Sequence, residues 1–215
     1  MQENWKETFE NWWHDNESDD ASHDLSHFRR VHTMAIYIAE REEEQSDDLV
    51  MMAAAYFHDV VNPPKNSPLR SKASRMAAEK AEEILTEMNF PAEKIPAVKH
   101  AIETHSFSAN ITPETIEAKI IQDADRMESL GAIAIARTMY VSGRLGRPLF
   151  HPEDPLAENG RELDDKEYGL DHFEVKLLKL PDMMQTKTGR KIAQSRADYL
   201  VDFRDQLVKE IRCEF

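Results

Sequence analysis

Met51-Met52-Ala53-Ala54-Ala55-Tyr56-Phe57-His58-Asp59-Val60-Val61 runs apolar for seven residues, presents an imidazole and a carboxylate, and then meets Asn62-Pro63-Pro64. Alanine is the strongest helix former, and a helix apolar all round belongs inside a protein. Proline lacks the amide hydrogen that would extend the helix. The stretch therefore predicts a core helix from about Asp47 to Asp59, ending at a His-Asp pair.

Working outward, the neighbouring segments are also helical. Before it, a long helix is expected from about Asp24 to Glu44, with Phe28, Val31, Ala35, Ile38 and Ala39 inward and an acidic last turn. Trp5, Phe9, Trp12 and Trp13 recur at helical spacing and mark an amphipathic first helix. Its aromatic face can pack on its own domain or on a second subunit. After the core helix, one helix is expected from Ser67-Pro68 to near Phe90, and another from Pro91 to near His105. Thr112-Pro113-Glu114 reads as a helix start, with Thr112 as the capping hydroxyl. The pattern then continues to about Met139, with a break near Asp125. Tyr140 to Asp165 holds three Gly and three Pro and reads as a long excursion. A last helix places Ile192, Tyr199, Leu200, Phe203, Leu207 and Ile211 on one face. The expectation is a single all-α domain over residues 1–215.

Composition supports that reading and narrows the function. The 215 residues include only 6 Gly and carry a net charge of −14, which disfavours nucleic acid and anionic membranes as partners. The one cysteine, Cys213, permits no intrachain disulfide. No apolar stretch approaches a membrane span, and the acidic, Trp-rich start is unlike a signal peptide. A cytoplasmic location is expected, with a homodimer as one option.

The chemistry lies in His27, His58, Asp59 and Asp125, drawn from three segments. Two imidazoles and two carboxylates form a mixed nitrogen and oxygen donor set that suits Mn, Fe, Co, Ni or Zn better than Ca. Mg is less typical but compatible. Such an ion acidifies water toward a pKa of roughly 7 and neutralises charge on a phosphoryl oxygen. Each residue alone has a plainer reading: a helical His is ordinarily a packing residue, and Asp125 could simply pair with Arg126. The joint pattern argues otherwise.

That pattern, D-x-x-H-x-x-R at residues 24–30, the His58-Asp59 pair ending a small-residue helix, and Asp123-Ala124-Asp125-Arg126, resembles the HD-domain metal-dependent phosphohydrolase superfamily. HSFSANITPETIEAKIIQDADRMESLGAIAIAR (105–137) and LDHFEVKLLKLPDMMQT (170–186) narrow the likeness to a small bacterial YedJ-like branch. The resemblance covers about residues 20–210. It implies an all-α HD-domain helical bundle, with an HD core at about 20–140 and a C-terminal helical extension at about 141–215. It also implies that His27, His58, Asp59 and Asp125 bind the metal. Asp123 is the alternative for the last position, but the acid directly before Arg fits the family pattern.

Charge distribution points to the substrate. Val60 to Ala78 contains no acid but carries Lys65, Arg70, Lys72 and Arg75. Ser129 to Pro152 is also free of acids, and Val175 to Ala197 holds six bases against Asp182. Basic islands in so acidic a chain suggest a local anion site, although surface pairing would also explain the last two. Lys65 and Arg70, directly after the His-Asp pair, are expected to contact substrate. His105 closes its helix and is a candidate general acid or phosphate ligand. Glu128, one turn past Asp125, is a candidate for orienting water. Asp59 is expected to act in catalysis as well as ligation, and Lys176, one turn from His172, is expected to bind substrate. His100, His14, His23, His32 and His151 read as structural.

The first acid after Asp59 is Glu79, so the acidic pair of guanosine tetraphosphate hydrolases is missing. The extra His motifs of cyclic-dinucleotide phosphodiesterases are not evident either. A small phosphorylated substrate remains. The leading expectation is a (deoxy)nucleoside triphosphate cleaved to monophosphate and pyrophosphate. A 5′-nucleotidase is the nearest rival, a metal-stabilised helical binding or regulatory protein the second, and a redox di-metal oxygenase the remotest.

Overall fold

A computed structural model describes residues 4–16, 25–63, 67–106 and 109–214. Among them, regular structure is entirely helical: α1 (Trp5–Asp15), α2 (Leu25–Ala39), α3 (Asp48–Phe57), α4 (Ala73–Glu87), α5 (Ile95–His105), α6 (Ile116–Arg126), α7 (Gly131–Arg144), α8 (Asp171–Val175) and α9 (Lys187–Ile211). The protein is all-α, as its composition implied. Its packing forms two compact units, Met1–Asp125 and Arg126–Phe215.

In the first unit α3 is the central helix, packed by α2 and α5 and more lightly by α1 and α4. Met51 and every residue from Ala53 to Phe57 are fully buried. Asp47 caps its N-terminus by accepting from the amides of Leu49 and Val50. The Trp-rich helix packs on its own unit: Trp5 meets Phe90 at 5.0 Å between ring centroids, Phe9 meets Phe57 at 5.0 Å, and Trp13 meets Phe28 at 4.6 Å. Trp13 Nε1 also donates to the Tyr56 carbonyl at 3.0 Å, capping the end of α3. Buried Ala77, Ala78 and Ala81 on α4 leave room for close approach to α5.

Several boundaries depart from expectation. The helix expected to reach Glu44 stops at Ala39, because Glu40, Glu42, Glu43 and Glu44 would oppose the negative end of the helix dipole. The helix expected to begin at Pro91 begins at Ile95, where Pro96 lies in the first turn and Pro91 instead heads a turn whose carbonyl accepts from Lys94. Thr115, rather than Thr112, sits before α6 and accepts from the Ala118 amide.

The second unit begins with a 3-10 turn at Met127–Ser129 and an extended Leu130. Gly131 follows with φ +70, where a Cβ would stand 3.3 Å from Arg196 Cγ; the break between α6 and α7 needs glycine. α7 packs along α9. The inward stripe of α9 is Ala193, Ala197, Leu200 and Val208, while Tyr199, expected inside, is 51% exposed. Residues 145–170 are irregular, with α7 ending at Arg144 rather than Met139.

Candidate metal centre

Two helices of the first unit end on a histidine. His58 caps α3, its backbone amide reaching the Ala54 carbonyl and its Nδ1 lying 2.9 Å from the Ala55 carbonyl. His105 ends α5, with Nδ1 2.6 Å from the Ile102 carbonyl. A carbonyl only accepts, so Nδ1 is the protonated nitrogen in both rings. Nε2 is then left as the donor atom of each neutral ring.

These Nε2 atoms meet groups from two other helices. His27 on α2 places Nε2 3.2 Å from that of His58. Asp125, near the end of α6, brings Oδ1 within 3.6 Å of His58 Nε2 and 3.7 Å of His27 Nε2. Asp59 sets Oδ2 3.7 Å from His58 Nε2 and Oδ1 3.5 Å from His105 Nε2. All three imidazoles are buried, while the Asp59 and Asp125 side chains keep 15% and 26% of their exposure.

Donors bound at the usual 2.0–2.2 Å to one ion stand roughly 3.0–3.5 Å apart. His27, His58 and Asp125 come within a few tenths of an ångström of that spacing, and their mixed donor set suits a divalent transition ion. His58, Asp59 and His105 form a second such group. The two share His58 Nε2, which has one lone pair, so that atom serves one ion only.

Electrostatics agrees with a cation in this ring. Burial alone would keep His58 neutral, but the Asp59 and Asp125 carboxylates outweigh it and raise its pKa from 6.5 to about 9. Burial likewise opposes charge on Asp125, yet His58, with His105 and His27 beside it, holds this carboxyl well below the ordinary range. Proton and metal therefore compete for the same place, and metal binding must release a proton.

The HD-domain sequence profile matches residues 24–130. YpgQ from Bacillus subtilis is 31% identical over 195 residues, spanning 89% of this chain and 85% of that protein. The chain belongs to the HD family. The crystal structure of YpgQ in complex with ADP superposes with a TM-score of 0.72 at 29% identity, covering 95% of this chain and 94% of that one. An HD-superfamily hydrolase from Bacillus thuringiensis aligns at 33% identity and a TM-score of 0.73, over 97% of each chain. The protein is accordingly a metal-dependent hydrolase of the HD superfamily.

Within this HD hydrolase, the structure brings together His27, His58, Asp59, Asp125 and His105. Asp123, fully buried on α6, is outside both groups of potential ligands. Arg126 sends Nη1 2.6 Å to the Met183 carbonyl. Lys65 lies outside the described residues. Arg70 donates through Nη1 to Asn62 Oδ1 at 2.5 Å and to the Pro63 carbonyl at 3.3 Å, bracing the loop that follows the His-Asp pair. Glu128 and Lys176 belong to the second unit, where Glu128 is buried and its carbonyl accepts from Arg137. His172 pairs with Asp165 at 2.8 Å, and His100 Nε2 accepts from the Glu114 amide, a structural role.

The contact between His105 and Asp59 is not legible from spacing, because 46 residues separate them and only the packing of α5 on α3 joins them. Gln122 is also passed over by sequence reasoning. Its one signal is its place three residues before Asp125, on the same side of α6.

Proposed function

We propose that this HD hydrolase is a nucleotide pyrophosphohydrolase, cleaving (deoxy)nucleoside triphosphates to monophosphate and pyrophosphate. The observation that carries the reading is the convergence of His27, His58 and Asp125 donor atoms at 3.2–3.7 Å, with the Asp59–His105 pair directly alongside. A nucleotide is supported by the relative YpgQ, whose structure contains ADP, and by the basic Val60–Ala78 stretch. His27, His58, Asp59 and Asp125 would hold a divalent ion. Such an ion supplies activated water at neutral pH and charge neutralisation at phosphorus.

The chain's own groups take the remaining tasks. His105 has Nδ1 fixed to the Ile102 carbonyl, so Nε2 is where it takes up or gives up a proton. Asp59 Oδ1 lies 3.5 Å from that nitrogen. Arg70 holds the loop after the His-Asp pair, and with Lys65 it is proposed to attract the polyphosphate. No nucleophilic side chain is required.

The test is product identification from Mn-loaded protein given nucleoside mono-, di- and triphosphates, with His58→Ala in parallel. Pyrophosphate from triphosphates, absent with the variant, is the expected result. Orthophosphate from monophosphates, with triphosphates spared, would replace the reading with a 5′-nucleotidase.

A further inference from the structure

α5 ends at His105, and a helix leaves its last four carbonyls without partners inside the helix. Two of the four are taken in ways that bear on the site. The Ile102 carbonyl accepts from His105 Nδ1, and the Thr104 carbonyl accepts from Gln122 Nε2 on α6 at 2.6 Å. Both ends of the second bond are buried, with Gln122 2% exposed and Thr104 fully enclosed. Gln122 precedes Asp125 by three residues, so one side of α6 carries both the carboxylate that meets His27 and His58 and the amide that grips the end of α5.

Packing alone does not account for a glutamine here. Its Oε1 is buried without a hydrogen-bond partner among the described residues, a penalty that leucine or methionine would avoid. What glutamine adds is the donor to the Thr104 carbonyl, one residue before His105.

We infer that Gln122 is a positioning residue: its amide clamps the C-terminus of α5 to α6 and thereby holds His105 in reach of Asp59. It acts through His105, not through His27, His58 or Asp125. The inference rests on the proposed role of His105 in phosphoester hydrolysis, and its test includes a readout that does not.

Gln122→Met keeps the volume and removes the donor. Gln122→Asn keeps an amide but withdraws it by one methylene, which guards against a Met-specific packing effect. For both, kcat is expected to fall about 10- to 100-fold, the range for losing a group that orients a reacting residue. KM and Mn affinity should stay within about twofold, with thermal stability retained. In a His105→Ala background, Gln122→Met should cause no further loss. By NMR of the metal-free protein, the His105 Nδ1–H signal should broaden or vanish in the variants while the His58 Nδ1–H signal persists. An unchanged kcat, a full additional loss on top of His105→Ala, or a parallel loss of Mn affinity would each overturn the inference. Should the wild type hydrolyse no phosphate ester, the functional reading fails by itself. The NMR comparison then decides the clamp: a lost His105 signal upholds it, and an undisturbed one removes it.

Discussion

Asp125 and Asp171 are both acids set against cationic or potentially cationic partners, and they are treated in opposite ways. Asp171 is fully buried and closed. Arg161 approaches it with two nitrogens at 2.6 and 2.7 Å, and the Asp164 amide adds a third bond at 2.8 Å. Asp125 faces the His27 and His58 nitrogens at 3.7 and 3.6 Å, beyond the ordinary hydrogen-bond range, and those two ring nitrogens stand 3.2 Å apart. A protein stabilising itself closes its buried charges, as at Asp171. Where it leaves lone pairs converging at coordination spacing, it has kept a place for a cation from outside. The difference lies in closure rather than burial.

Removing the carboxylate in each place should give opposite signatures. Asp125→Asn, the larger effect, should lower kcat by about 1,000-fold or more, since metal assistance contributes several kcal/mol. It should weaken Mn binding measured calorimetrically and lower the melting temperature of the metal-free protein less than Asp171→Asn does. Asp171→Asn should do the reverse. Breaking a buried bidentate pair costs about 3–5 kcal/mol, and a chain of this size should melt roughly 10 °C lower. Mn affinity should be retained. If Asp171→Asn melts like the wild type, or if Asp125→Asn destabilises the metal-free protein as much as Asp171→Asn, the contrast between open and closed carboxylates collapses.

How much of this was legible beforehand divides along the same line. The all-α class and the central helix follow from apolar runs and scarce glycine, signals carried within each segment. The His58-Asp59 pair and the DADR stretch were visible because each is contiguous. Two things were not. Helix ends moved where termini met charge or a better cap, as at Glu40 and Thr115, because capping depends on a few local bonds that periodicity does not register. Contacts made by packing were hidden too: Asp59 with His105, Gln122 with Thr104, and Asp171 with Arg161 each require helices or loops to be placed first. Arg70 shows the limit of reading charge by position, since its Nη1 is bonded to Asn62 and Pro63.

Glu10 sharpens the comparison, because it lies in the same unit as the open site and yet is closed. Arg29 donates to it through Nε at 2.9 Å and Nη2 at 2.7 Å, and the Tyr56 hydroxyl donates at 2.7 Å. The Arg29 bond, opposed by burial and joined by the Tyr56 bond, holds the Glu10 carboxyl down at about 2 rather than 4.5. A carboxyl with a lowered folded-state pKa contributes its full stability above about pH 4.5 and loses it as pH falls toward 2. Arg29 is 48% exposed, so solvent screening keeps the contribution small, about 1 kcal/mol. Glu10→Gln should therefore lower the urea midpoint modestly at pH 7, by the same amount at pH 6, and progressively less between pH 4.5 and 2. Turnover and Mn affinity should match the wild type, because neither Glu10 nor Arg29 belongs to a group of potential ligands. A midpoint difference that stays constant down to pH 2 would mean that the loss is one of packing rather than of charge, and Glu10 would no longer belong with Asp171.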